Sequence, residues 1–148
     1  MKLTSLNHTG FAGFAAVGTA DCSLEVKVAV VVVLALSHVL LDAIPHMHFY
    51  GYIRLKETLP GAILELGGGF IVLPALIWYF TNINPWWLYS CVLSSSLVDF
   101  LVAARIRPIV RLNEIAHWWD KRVSSRALIP YEIAQTIITF GLLWWVIK

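Results

Sequence analysis

The chain has 148 residues, of which 59% are hydrophobic and only 14% charged, with a net charge of +2 and a mean hydropathy of +0.74. A soluble domain carries roughly 25% charged and 45–50% apolar residues, and a domain of about 150 residues leaves near a third of its unfolded-chain surface exposed. These values argue against an ordinary soluble enzyme, a disordered chain or a disulfide scaffold and give no reason to expect nucleic acid; a small polytopic membrane protein is the expectation.

Residues 3–20, LTSLNHTGFAGFAAVGTA, are mildly apolar and glycine-rich and contain His8. Their pattern fits a fifth span or a re-entrant helix packed against others. A cleaved leader is the alternative, with Lys2 as its basic start and Gly18-Thr19-Ala20 as its small-residue end. Four longer apolar stretches follow, each able to cover about 30 Å of hydrocarbon. The first runs from Val26 to Ile44 and stops at Pro45, which lacks a helix donor and restricts its neighbour. The second runs from Pro60 to Phe80, with Gly67 to Gly69 inside it and Pro74 as an expected kink. The third starts at Pro85 after Asn84 and ends near Ala104. Residues 108–124 place Leu112, Ile115, Trp119 and Val123 at helical spacing, the pattern of an amphipathic helix lying in an interface. The fourth long stretch runs from Pro130 to Ile147. The expected fold is therefore an all-α transmembrane bundle, one domain over 1–148.

The basic residues sort by side. Arg54 and Lys56 lie between the first two long stretches, and Arg105, Arg107, Arg111, Lys121, Arg122 and Arg126 between the last two. The positive-inside rule puts both loops in the cytoplasm. The expected location is the inner membrane, multi-pass, with the C-terminus outside and the lipid bilayer as partner.

Ionisable groups within apolar spans are costly and point to function. Asp42, Glu65, Asp99 and His38 stand inside or at the edge of the expected spans. His38 and Asp42 are spaced i, i+4 and share a helix face, and His46 continues the spacing. Imidazole and carboxylate on one face suit zinc or another divalent ion; a buried hydrogen-bonded pair is the plainer reading. The expected topology brings Asp42, Glu65, Asp99 and His117 to one membrane level, and His8 joins them if the N-terminus is inside. Cys22 and Cys91 have no metal spacing, and both fall toward the outer side, where a disulfide is conceivable.

These residues resemble a group of small bacterial polytopic membrane proteins that look like distant relatives of the membrane-bound metal-dependent hydrolases. The resemblance rests on His8-Thr9-Gly10, on Ser37-His38 with Asp42-Ala43-Ile44-Pro45-His46, on Val98-Asp99-Phe100 and on His117-Trp118-Trp119-Asp120. Val98 stands where the group has proline, and Asp120 where a second histidine is expected. The resemblance implies a divalent metal and a hydrolytic reaction, with no substrate specified. On that reading His38, Asp42, His46 and Asp99 are metal ligands, and His8 and His117 complete or flank the site. Glu65 is the candidate general base. A phosphoester or lipid headgroup would fit, its phosphate held by Arg105, Arg107 or Arg111. The second reading is non-enzymatic: the same buried groups would form a proton or cation pathway, or polar contacts that fix helix packing.

Overall fold

The computed structural model describes residues 4–43, 67–116 and 125–148. These residues form helices α1 (Thr4–Gly18), α2 (Leu24–Ala43), α3 (Leu73–Thr81), α4 (Pro85–Ser95), α5 (Leu97–Ala103), α6 (Arg107–Ala116) and α7 (Ser125–Ile147). A π-helical turn over Gly68–Val72 leads into α3.

Small residues put α1 at the centre. Thr9, Ala12 and Ala16 are fully buried, and α1 packs against α2, α3, α4 and α7. A methyl group added at Gly10 would come 2.6 Å from Thr139 Cγ2 on α7, and one at Gly13 would meet Ile77 on α3. Glycine at these two positions sets how closely the helices approach. The threonine hydroxyl of Thr136 donates to Asn7 Oδ1 at 3.4 Å, so contacts step forward along both chains and α1 and α7 run parallel. Trp87 Nε1–H at the start of α4 donates to the Ala16 carbonyl near the end of α1, 3.0 Å away. At the same end the Lys27 ammonium lies 5.6 Å from the centre of the Trp87 ring. The opposite end of α4 reaches His38, so α2 and α4 run parallel and α1 antiparallel to both. The core between them holds Leu34, Leu73, Ile77, Leu88, Cys91, Val92 and Leu143.

The helix ends have local causes. Pro74 cannot donate to the carbonyl four residues back, and its ring crowds that carbonyl. The wider turn just before it absorbs the problem, closed by Leu73 N–H donating to the Gly68 carbonyl. The expected kink at Pro74 thus takes the form of a π-turn. Asn82 ends α3 in the left-handed region, at φ 51° and ψ 27°, as an asparagine tolerates. Asn84 then caps α4: its Oδ1 accepts from the backbone N–H of Trp86 at 2.9 Å and of Trp87 at 3.4 Å. Ser94 and Ser95 turn their hydroxyls back to the carbonyls of Ser90 and Val92, competition that weakens a helix end. The break follows at Ser96, with φ −108° and ψ 5°.

These interruptions correct the expected architecture. Among the described residues no helix is long and apolar enough to cross a membrane. The third expected span, 85–104, is two helices, and its longer piece of 11 residues rises only about 16 Å at 1.5 Å per residue. The described part of the second span is divided at the π-turn. The unbroken apolar run of α2 is confined to Val28–Leu36, between Lys27 and Ser37-His38, and α7 carries Pro130, Glu132 and Gln135 in its first half. The transmembrane bundle of four long spans plus an N-terminal fifth is set aside on this finding. The multi-pass inner-membrane placement, with cytoplasmic basic loops and an outer C-terminus, goes with it. The interfacial helix expected over 108–124 is helical over Arg107–Ala116, with half-buried Ile109 and Val110; residues 117–124 lie outside the described part. What the structure retains is the all-helical class and a large apolar exterior, including Val33, Leu36 and Leu40 on α2, Phe80 on α3 and Ile137 and Trp145 on α7.

Candidate functional site

Four elements meet at the end of the bundle away from Trp87. His8 from α1 is 3% exposed and His38 from α2 is 1% exposed. Their rings stack with centroids 4.2 Å apart and planes inclined by 16°. His38 Nδ1 lies 2.6 Å from the Ser95 carbonyl oxygen at the end of α4. His38 Nε2 lies 3.5 Å from Asp99 Oδ1 in the first turn of α5, and the Asp99 side chain is 46% exposed. The helix break at Ser96 therefore matters to the site: it separates the segment whose carbonyl holds the ring from the one whose carboxylate faces it.

The tautomer follows from the geometry. A carbonyl oxygen only accepts, so Nδ1 carries the proton and donates it to Ser95. In a neutral ring Nε2 then presents a lone pair to a carboxylate oxygen, which is repulsive. A positive charge on that line removes the repulsion. A second ring proton, giving an imidazolium–carboxylate pair, is one way; a metal cation between the two atoms is another. A metal-bound histidine typically donates its other ring N–H to a carbonyl or carboxylate, as His38 does to Ser95.

His8 plays a different part from His38. Ring nitrogen lone pairs lie in the ring plane, and the two planes are nearly parallel. In this arrangement the rings cannot aim lone pairs at one ion. His8 instead covers a face of His38 and keeps water from it. Thr9, next in α1, is fully buried, with its hydroxyl unpaired among the described residues.

The remaining expected site residues are placed as follows. Asp42 lies on α2 four residues beyond His38, with its backbone helical and its side chain outside the described part. His46, Glu65 and His117 lie outside the described residues. Arg105, Arg107 and Arg111 are exposed around the start of α6, and Arg105 takes a left-handed φ of 58° in the turn before it. Among the described residues no group of three or more His, Cys, Asp or Glu side chains could hold a metal ion. The Asp42 side chain, His46, Glu65 and His117 lie outside the described part, within which His38 and Asp99 are brought face to face. Both cysteines are free, Cys22 exposed and Cys91 buried, and burial pushes the Cys91 thiol up to about 12, which keeps it inert.

Two features had no clear sequence signal. The Ser95 carbonyl is a backbone group that any residue carries; the serine run at 94–96 marks the helix break that presents it. The stacking of His8 on His38 joins residues 30 positions apart in sequence and depends on the antiparallel packing of α1 and α2. No protein-family model, curated protein or solved structure matches the chain.

Proposed function

We propose that this chain is a metal-dependent hydrolase in which His38 and Asp99 hold a divalent cation, zinc by donor type. One observation carries the reading: the Ser95 carbonyl fixes Nδ1–H, and Nε2 faces Asp99 Oδ1 at 3.5 Å. Two ligand atoms about 2.0–2.2 Å from a tetrahedral ion lie roughly 3.4 Å from each other. Asp42 and His46, which continue the helical spacing from His38, are the residues to complete the ligand set. A bound ion of this kind would lower the pKa of water at the site, which is the chemistry hydrolysis needs near neutral pH. The chain's own groups hold the His38 ring through Ser95 and shield it with His8. Glu65 is the candidate base, and Arg105, Arg107 and Arg111 are candidates to hold the phosphate of a phosphoester or lipid headgroup. Lipid hydrocarbon is the proposed partner of the apolar exterior, because large apolar side chains stand exposed on α2, α3, α4 and α7 alike, beyond the single patch that a protein interface covers. The resemblance to the membrane-bound metal-dependent hydrolases supports the same chemistry on its quoted motifs alone.

Metal analysis of the purified protein, joined to a phosphatase and phosphodiesterase screen with added divalent ions, tests the proposal. Stoichiometric metal that is lost in His38→Ala and Asp99→Asn is the expected result. Protein without bound metal, before and after zinc addition, overturns it.

The second reading is a non-enzymatic polar contact that fixes helix packing. The stacked, buried histidine pair favours it. It expects the same two variants to lose stability in protein that never carries metal.

A further inference from the structure

Side chains of α3 and α7 line an apolar groove of about 220 Å³. Leu73, Leu76 and Ile77 form one wall, and Phe140, Leu143 and Trp144 the other. The wall side chains are aliphatic or aromatic, so an occupant needs no hydrogen-bonding groups there, and a polar one would lose its own. An apolar cavity of roughly 150 Å³ already takes up benzene, so this groove has room for a longer run of hydrocarbon.

We infer that the groove binds one acyl chain of a phospholipid. The inference rests on the reading of lipid as the partner of the apolar exterior and names a specific seat within it. Two observations choose this occupant over a second copy of the chain. First, the groove is continuous with exposed apolar side chains that do not stop at its rims: Phe80 and Trp144 line it and are 65% and 64% exposed, and Ile137, Ile138 and Trp145 extend the surface along α7. Small mobile chains cover such a continuous surface, whereas a protein partner covers one patch. Second, the Lys148 ammonium lies 5.8 Å from the centre of the Trp144 ring. A cation beside an aromatic ring that lines the groove suits the phosphate of a phospholipid, with the acyl chain extending along Trp144.

The test is tryptophan quenching by phosphatidylcholine with brominated acyl chains, titrated into the full chain in mixed detergent micelles. Wild-type protein should show a saturable component, and this component should vanish in Trp144→Phe. Leu76→Asn and Leu76→Phe place a polar or bulky group in the groove at a half-exposed position that folding tolerates. Both should weaken half-saturation by roughly tenfold, while Val33→Asn on α2 should leave it unchanged. Quenching that rises with lipid fraction without saturating, or that survives Trp144→Phe and the Leu76 variants, overturns the groove and leaves the general lipid reading standing. No quenching of any tryptophan overturns both. The metal content of the protein is unaffected in either case, so failure here is separate from failure of the hydrolase proposal.

Discussion

Replacing His38 by alanine removes three things at once: the donor to the Ser95 carbonyl, the ring stacked on His8, and the group facing Asp99. Leaving a buried acceptor without its donor costs about 1–3 kcal/mol. Loss of the stacked ring adds roughly 0.5–1.5 kcal/mol. The expected destabilisation of His38→Ala is therefore about 2–4 kcal/mol, which in a chain of this size lowers Tm by about 2–4 °C per kcal/mol. Asparagine separates the terms, because its amide nitrogen falls where Nδ1 stood and can still donate to Ser95. His38→Asn should recover about 1–2 kcal/mol of the loss, whereas His38→Phe keeps a ring against His8 and leaves Ser95 unsatisfied. Denaturant titration followed by far-UV circular dichroism gives the three values. If His38→Phe is as stable as wild type, or His38→Asn is no better than His38→Ala, the Ser95 hydrogen bond does not hold the site.

Four further outcomes test the fold. Gly10→Ala should destabilise by about 1–2 kcal/mol, since overpacking against the stiff, buried Thr139 side chain outweighs the gain of roughly 1 kcal/mol in helix propensity; Gly13→Ala, facing the terminal methyl of Ile77, should cost less in the same denaturation assay. Asn84→Ala should lose about 1 kcal/mol through the cap of α4, and equal stability would mean that the Asn84 hydrogen bonds are not maintained in solution. A maleimide at neutral pH should label Cys22 and spare Cys91 until the protein unfolds. Because the folded thiol stays neutral to about 12 while an exposed one ionises from about 8.5, the unfolded chain releases the proton first and stability falls as pH rises through that window. A Cys91→Ser variant should lose this alkaline component, and an unchanged pH profile would refute it.

Much of the secondary structure was readable because its causes are local. Asn84-Pro85 announces a helix start, and the apolar run from Val26 announces a helix that proves to cover Leu24–Ala43. The i, i+4 spacing of His38 and Asp42 follows from helix geometry alone. The interruption at Ser96 was not readable in the same way. A serine triplet is compatible with an unbroken helix, and the break arises where hydroxyl back-bonding coincides with a carbonyl that His38 engages across the bundle. For that reason a 20-residue span was expected where two shorter helices stand.

The sequence alone determined the all-helical class, through long apolar runs punctuated by proline and asparagine, and it singled out His8, His38 and Asp99 as residues out of keeping with their surroundings. Only the tertiary structure decided how they relate. The antiparallel run of α1 and α2 lays one imidazole flat on the other and leaves the second facing Asp99. Spacing along one chain fixes a shared face of one helix. It carries no information on the angle between rings that belong to different helices, and here that angle of 16° keeps the two imidazoles from aiming their lone pairs at one point.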